Sequence, residues 1–132
     1  MTITFVDAGV LIQAARGEPD SAARAIVILD DPARELASSV FVRLEVLPKA
    51  VYYRNTAEVK FYELFFNSVK HWAQISETLI EDAYREASRT GLAAVDALHV
   101  AAAASVKADE FVTTEKPAKL LHRTTMIKVV SV

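Results

Sequence analysis

Short apolar segments alternate with longer helical segments along this chain, and that alternation constrains its fold more than any other feature. The spacing predicts strands at 2–6, 35–38, 110–113 and 127–130. It predicts helices at about 8–16, 19–29, 39–51, 57–72, 76–89 and 96–107, with a short helical turn at 117–122. Strands separated by helices pair in parallel, because a parallel neighbour requires a long crossover connection. The sequence therefore predicts an α/β fold with a largely parallel sheet.

Local signals mark several of these helix boundaries. Ser39 and Ser76 are good N-caps, and Gly91 is expected to end the helix that Ser76 begins. Pro48 cannot donate a hydrogen bond to the carbonyl of the residue four positions earlier, so we expect a kink or break there. Helical spacing predicts that the core stripe of this third helix consists of Val40, Leu44, Leu47 and Val51.

The length and composition are those of an ordinary globular domain. The 132 residues, of which 52% are hydrophobic and 24% charged, predict a single domain spanning 1–132. The absence of cysteine excludes disulfides and cysteine-based zinc sites. The amino terminus lacks the pattern of a signal peptide, and the apolar segment 92–106 is too short to span a membrane. We therefore expect a cytoplasmic protein that does not enter membranes.

Four acidic residues lie in unusually apolar surroundings. They are Asp7, Glu45, Asp96 and Glu115. Carboxylates are rarely buried unless they are paired or bind a metal. Asp7 and Glu115 each follow a predicted strand, and ligands of open parallel sheets bind at the carboxyl ends of the strands. We therefore predict that the four acids form one catalytic and metal-binding pocket.

The chemistry of such a pocket favours Mg²⁺ or Mn²⁺. Acids held close together raise each other's pKa values unless a positive charge neutralises them, and these hard ions prefer carboxylate and water oxygens. A divalent ion can polarise a phosphodiester, hold an attacking water and stabilise the leaving oxygen. The net charge of -2 does not exclude a nucleic-acid substrate, because bound cations reverse the local sign.

Each acid taken alone has a simpler structural explanation. Asp7 could cap the first helix, and Asp96 could complement the dipole of its own helix in the first turn. Glu45 could extend to solvent or pair with Arg43, Lys49 or another base, and Glu115 could be a surface residue beside Lys116. Only the four acids together favour a metal site.

Other polar and aromatic residues favour structural roles. His99, one turn after Asp96, could be a ligand or proton shuttle, but a hydrogen-bonded core histidine is the favoured interpretation. Helical spacing favours core or dimer packing over base stacking for the aromatic residues Phe61, Tyr62, Phe65 and Phe66. Solvated charge is the default interpretation for Arg16, Lys49, Arg54, Lys116, Lys119 and Arg123, which could otherwise contact phosphate. With three glycines, the chain has no nucleotide-binding glycine loop.

Taken together, the acidic segments resemble the motifs of PIN domains, and specifically of the VapC-like ribonuclease toxins of toxin–antitoxin pairs. The first motif is an Asp that closes strand one, as Asp7 does in 5–12. Glu45 follows Ser38 and Ser39 at the spacing of the second motif. The segment 96–103, which begins with Asp96, is the most specific match, and 108–115 resembles the fourth motif. The resemblance covers essentially the whole chain.

The resemblance implies a three-layer α/β/α fold with a central parallel sheet of four to five strands. It also implies Mg²⁺- or Mn²⁺-dependent cleavage of RNA, homodimerisation, and neutralisation by a cognate antitoxin whose tail enters the acidic groove. On this hypothesis Asp7 and Asp96 are the principal metal ligands. Glu45 and Glu115 would complete the catalytic pocket directly or through water.

Two positions depart from the family pattern. Gly9 stands where the family usually has Asn, Ser or Thr, and Glu115 stands where it usually has Asp. These departures motivate an alternative, in which a weak or inactive PIN-fold protein binds RNA or a protein partner. Phosphoreceiver and haloacid-dehalogenase folds are disfavoured, because Asp7 is followed by Ala8 and Gly9 and not by a second acid.

Overall fold

A five-stranded, entirely parallel sheet forms the centre of the protein, in a computed structural model that describes residues 1–132. The strands lie in the order β3-β2-β1-β4-β5. Their bounds are β1 Thr2–Val6, β2 Arg34–Ser38, β3 His71–Trp72, β4 Glu110–Thr113 and β5 Val129–Ser131. The central strand β1 pairs with β2 on one side and with β4 on the other. The predicted α/β class with a parallel sheet is confirmed.

Six α-helices connect the strands. They are α1 Ala8–Arg16, α2 Pro19–Leu29, α3 Val40–Tyr52, α4 Thr56–Ser68, α5 Glu77–Thr90 and α6 Ala94–Ser105, and a 3-10 helix follows at Leu120–Arg123. The predicted caps are confirmed: the Ser39 hydroxyl accepts from the backbone of Phe41, and Ser76 accepts from Leu79. Gly91 ends α5 in the left-handed conformation, with φ of 81°, which glycine adopts without steric cost.

The strand order places the helices in two groups. The chain runs from β1 outward to β2 and β3, and then crosses back to β4 and β5 on the other side. Because crossovers between parallel strands are right-handed, α1–α4 cover one face of the sheet and α5–α6 cover the other. Helices α1 to α4 contact one another, as do α5 and α6. None of the helices has the length and apolar character needed to cross a lipid bilayer.

The core lies around the two middle strands. Phe5 and Val6 of β1 and Phe111 and Val112 of β4 are fully buried, and the Phe5 and Phe111 rings stack with centroids 5.4 Å apart. The predicted bounds of β1 and β4 are correct. These strands therefore hold the residues that follow them at fixed positions on the carboxyl edge of the sheet.

The predicted helix at 57–72 is wrong in its last four residues. Helix α4 ends at Ser68, and the chain becomes extended at Val69 before β3. Lys70 and Ala73 donate backbone hydrogen bonds to β2, which fixes this two-residue edge strand. No glycine or proline separates α4 from β3, so the sequence carries no local stop signal there.

The predicted core stripe of α3 is also wrong. The buried residues are Val42, Val46, Leu47 and Ala50, so only Leu47 of the predicted stripe lies in the core. The Leu44 and Val51 side chains are 64% and 58% exposed. Helix α3 continues through Pro48, which is exposed. Proline has no N–H to donate to the carbonyl of Leu44, and water can reach that carbonyl on the exposed side of the helix.

The last two elements are shifted from their predicted positions. The helical turn expected at 117–122 is the 3-10 helix at Leu120–Arg123, and the last strand is Val129–Ser131 and not 127–130. Residue Ile127, which its apolar character placed in the strand, is buried in the core just before it.

Candidate active site at the carboxyl edge of the sheet

The site lies where the strand order changes direction. Strands β1 and β4 are neighbours, but β2 and β3 are built on one side of β1 before the chain reaches β4. The connections after β1 and β4 therefore leave in different directions and open a crevice between them, which is the usual ligand position in such sheets. Asp7 directly follows β1, and Thr113 ends β4.

Asp7 is a buried carboxylate held on both of its oxygens. The backbone N–H of Ala8 donates to Oδ1 at 2.8 Å, and the Thr113 hydroxyl donates to Oδ2 at 2.7 Å. Asp7 is also the N-cap of α1, so the capping explanation is correct. Burial nevertheless raises the pKa of Asp7 above its usual range, against the lowering effect of these bonds. The carboxylate is thus positioned well but incompletely stabilised.

Thr113 links Asp7 to the segment that carries Glu115. Its hydroxyl donates to Asp7 and also accepts from the backbone N–H of Glu115 at 3.1 Å. The carbonyl of Glu115 accepts a hydrogen bond from Ser131 at 2.6 Å, and the His122 ring lies 3.0 Å from the same oxygen. The backbone of Glu115 is therefore fixed, whereas its exposed carboxylate makes no hydrogen bond or ion pair.

Gly9 allows Thr114 to approach α1 closely. A Cβ at Gly9 would lie 2.6 Å from the Thr114 hydroxyl oxygen, well inside contact distance. The space that a side chain at position 9 would enter is thus already filled by a hydroxyl from the loop after β4. Although position 9 is a glycine, this side of the site therefore still has a polar group, the hydroxyl of Thr114.

Asp96 lies in the first turn of α6, where the helix dipole favours an acid. Its carboxylate forms no hydrogen bond or salt bridge within the chain. Burial raises the pKa of Asp96, and the charge of Asp7 raises it further, followed by smaller effects of Glu45 and Glu115. The charges of Asp7, Glu45 and Glu115 therefore all reach Asp96.

Glu45 forms no salt bridge with Arg43 or Lys49 and pairs instead with another base, as the simpler explanation allowed. Its Oε1 is hydrogen-bonded to Nε2 of His99, a fully buried residue of α6. His99 is thus the hydrogen-bonded core histidine that was favoured, and its partner is one of the four acids. No lysine or arginine forms a salt bridge with any of the four, so the only base in contact with them is an imidazole.

The aromatic residues of α4 serve the core. Tyr62 and Phe65 are buried, and Phe61 and Phe66 pack against the core from partly buried positions. Tyr62 also donates to Glu58 at 2.6 Å. This arrangement favours the packing role that was expected of them over base stacking.

The donor chemistry of the pocket fits a hard divalent ion. No three His, Asp or Glu side chains converge closely enough here to form a complete ligand set. Mg²⁺, however, is commonly bound by one or two carboxylates, with waters and substrate phosphates completing its shell. Asp7 and Asp96 are two such carboxylates, both with raised pKa values and neither paired with a cation. Thr113 was not among the predicted site residues; its sequence signal is its place as the last residue of an apolar strand, two residues before Glu115, where the fourth motif of the resembled family has a Thr.

The raised pKa values of Asp7 and Asp96 predict that the metal-free protein is more stable at mildly acidic pH. Both carboxyls bind protons more tightly in the folded chain than in the unfolded chain, where they titrate near pH 4. The free energy of unfolding should therefore rise as the pH falls through the folded pKa values of these two carboxyls. At neutral pH the full cost of keeping them charged in the folded protein applies. Thermal melting in EDTA should give a higher Tm at about pH 5.5 than at about pH 7.5.

The control for this prediction is the double variant Asp7→Asn, Asp96→Asn, which retains an N-cap at position 7 because Asn is also a good cap. Its Tm should depend less on pH than that of the wild type. An equal pH dependence in the two proteins would show that other groups cause it.

The comparisons with known proteins agree on the fold. The family model described as PIN domain matches residues 4–119. The structure is similar to that of VapBC2 from Rickettsia felis bound to a DNA fragment from its promoter, with a TM-score of 0.73 and 14% identity over 98% of both chains. It is also similar to DNA-bound VapBC from Salmonella typhimurium, with a TM-score of 0.71 and 13% identity over 99% of this chain and 98% of that one.

No curated protein sequence matches this chain significantly. The family match covers most of the chain, from β1 through β4, and contains all four acids. The solved structures extend the likeness in fold to nearly every residue. On this basis the chain belongs to the PIN domain family.

Proposed function

We propose that this protein is a Mg²⁺- or Mn²⁺-dependent endoribonuclease, and that residues 1–132 act as one PIN-like domain in the cytoplasm. The observation that carries the proposal is the pair of carboxylates, Asp7 and Asp96, whose pKa values are raised without a neighbouring lysine or arginine. An uncompensated acidic pair at the ligand-binding edge of a parallel sheet is costly for the fold alone. Membership of the PIN family supports a nuclease role for it.

Each acid has a role in this proposal. Asp7 and Asp96 would be the direct metal ligands, and Glu45 and Glu115 would complete the pocket directly or through water. A divalent ion held there supplies Lewis-acid polarisation of a phosphodiester and lowers the pKa of an attacking water. Thr113 orients Asp7 for this task, and Ser131 and His122 fix the backbone that carries Glu115.

RNA cleavage by the purified protein tests the proposal. A single-stranded RNA should be cut at internal positions with Mg²⁺ or Mn²⁺ and remain intact with EDTA. A single-stranded DNA of the same base sequence should remain intact under both conditions. Cleavage that persists in EDTA, or no cleavage of any RNA with either ion, would contradict the proposal.

A protein antitoxin is the proposed regulatory partner. Both similar structures are complexes described as VapBC, which supports the inference that this chain is the toxin of such a pair. The uncompensated acids of the pocket would attract a cationic tail of the antitoxin, which would compete with metal and RNA. Expression of this chain alone should arrest bacterial growth, and co-expression of its cognate antitoxin should relieve the arrest. Normal growth at full expression would contradict the toxin role.

Helix α3 supports a homodimer. Its exposed face carries Leu44, Val51 and Tyr52, which are 64%, 58% and 77% exposed. The grooves beside this apolar face are lined by Arg43 and Glu63, and neither of these two residues forms a salt bridge within the chain. In a two-fold symmetric interface the same patch meets itself, so Arg43 of one copy could pair with Glu63 of the other. We therefore propose a second copy of the chain as the occupant of this face.

The homodimer proposal predicts that Leu44→Glu yields a monomer, because it places a charge in the middle of the apolar contact. Light scattering coupled to size exclusion should give twice the 14.5 kDa chain mass for the wild type and the chain mass for the variant. The matched control is Leu64→Glu on α4, where the side chain is similarly exposed but lies outside the grooves lined by Arg43 and Glu63. A wild-type monomer, or dissociation by both variants, would contradict this choice of face.

The alternative function is binding without cleavage. It is favoured by one observation: no three His, Asp or Glu side chains of the pocket converge closely enough to form a complete ligand set. Such a protein would bind RNA or a partner in the presence of EDTA and gain nothing from Mg²⁺. The cleavage assay with and without EDTA therefore distinguishes the two functions.

A further inference from the structure

His99 is a buried polar side chain whose one partner belongs to the acidic pocket. The residue lies on α6 one turn after Asp96 and is completely buried. Its Nε2 is hydrogen-bonded to Glu45, 54 residues earlier in the chain. Its Nδ1 has no partner at all. Because a carboxylate can only accept, the imidazole must carry its proton on Nε2 and donate it to Glu45.

The core alone gives no reason for a histidine at this position. The ring packs beside Phe5, with centroids 6.3 Å apart, among apolar residues of α6 such as Val100. A buried nitrogen without a partner is destabilising, and a leucine would fill a similar volume with no unpaired polar atom. The part of the ring that an apolar residue cannot replace is the Nε2–H that meets Glu45.

Glu45 needs such a partner to be held in one position. Its side chain is 39% exposed on α3, and neither Arg43 nor Lys49 pairs with it. A long, free carboxylate would sample many rotamers, and fixing it on ligand binding would cost conformational entropy. A hydrogen bond to a ring that is immobilised in the core removes that cost in advance. Oε1 is used by this bond, whereas Oε2 has no partner in the chain.

We propose that His99 is a positioning residue that holds Glu45 at the rim of the pocket formed by Asp7 and Asp96. The inference rests on the proposed metal-dependent function and extends it to a residue outside the four acids. The placement is supported by electrostatics, because the charge of Glu45 raises the pKa values of both Asp7 and Asp96. The His99–Glu45 pair is therefore part of the same pocket.

Substitutions of His99 by residues of different reach test the proposal. In Gln the amide nitrogen can occupy the place of Nε2, whereas in Asn it reaches only the place of Nδ1. Calorimetric titration of Mn²⁺ into the full chain should give near-wild-type affinity for His99→Gln. His99→Asn and His99→Leu should bind Mn²⁺ about 10–100-fold more weakly, the usual effect of removing a residue that orients a metal ligand. Wild-type affinity in His99→Leu would overturn the proposal.

A double-mutant cycle separates positioning from a general effect on folding. If His99 acts only through Glu45, then His99→Leu should weaken Mn²⁺ binding in the wild type but cause no further loss in a Glu45→Ala background. An equal loss in both backgrounds would assign the effect to the core and overturn the inference. Melting curves of all variants in EDTA establish that each is folded at the titration temperature.

A metal-free measurement keeps this inference distinct from the proposed function. The Nε2–H proton of His99 should be visible by NMR in EDTA, because it is buried and hydrogen-bonded. The signal should shift or disappear in Glu45→Ala but not in the matched α3 surface variant Lys49→Ala. An unchanged signal in Glu45→Ala would overturn the inference alone. Absence of any Mn²⁺ binding by the wild type, with the NMR coupling intact, would instead overturn the proposed function.

Discussion

Asp96→Asn should abolish RNA cleavage and at the same time raise the Tm of the metal-free protein. Asn keeps the shape of the side chain but removes the negative charge that a divalent ion requires. Loss of a direct metal ligand removes several kcal/mol of transition-state stabilisation, which corresponds to a rate at least about 10²–10³-fold lower. The Tm should rise because burial and the neighbouring acids already disfavour a charge at Asp96.

The opposite directions of these two effects make the result diagnostic. An ordinary structural acid would lose stability on substitution, whereas a functional acid held at a cost to the fold gains it. Asp20→Asn is a matched control, because Asp20 is also an acid in the first turn of a helix, α2. It is exposed and lies near the end of α1 that is farthest from the pocket. The measurements are kcat/KM with Mg²⁺ and thermal melting in EDTA. Wild-type cleavage by Asp96→Asn would remove Asp96 from the site.

Thr113→Val should destabilise the protein and slow cleavage together. The substitution preserves the shape of the side chain but deletes the hydroxyl that donates to Asp7 and accepts from the backbone of Glu115. A buried carboxylate then loses a charge-assisted hydrogen bond, which should lower the free energy of unfolding by about 1–3 kcal/mol. Cleavage should fall because Asp7 is no longer oriented and the segment that carries Glu115 loses its anchor.

Thr113→Ser is the matched control, since serine keeps the hydroxyl and removes only a methyl group. Urea denaturation should place the serine variant closer to the wild type than the valine variant, and kcat/KM should follow the same order. If valine were tolerated as well as serine in both measurements, the hydroxyl would have no role in the site.

The parts of the fold that were predicted correctly are those with local causes. Strands β1 and β4 are short apolar runs, and the caps at Ser39, Ser76 and Gly91 depend on neighbouring residues only. Strand β3 was missed because two residues carry no periodicity and owe their conformation to hydrogen bonds with β2. An element was predicted correctly where the interactions that fix its conformation lie within a few residues, and it was missed where those interactions come from a distant strand.

Helix α3 illustrates a second limit. Apolar residues lie on nearly all sides of this helix, so helical spacing fits more than one buried face. The neighbouring elements bury the face with Val46 and Ala50 and leave Leu44 and Val51 in solvent. An exposed apolar face of this kind is the feature that the homodimer proposal explains.

The proximity of the four acids was predictable from the sequence, but the residues that contact them were not. An acid in apolar surroundings is visible in the sequence, and the other three acids lie close enough in the structure to raise the pKa of Asp96. Thr113 and His99 have partners 106 and 54 residues away, so the sequence could single out His99 but could not name Glu45 or Asp7 as the partners. The effect of Gly9 likewise became clear only from the position of Thr114.

Calorimetric titration of Mn²⁺ into the metal-free wild type and into Asp7→Asn tests the central claim most directly. Asn keeps the N-cap of α1 but lacks the charge, so the variant should fold and yet lose the ligand. The account predicts saturable binding to the wild type and a large loss of affinity in Asp7→Asn. No binding to the wild type, or equal binding to both proteins, would contradict it.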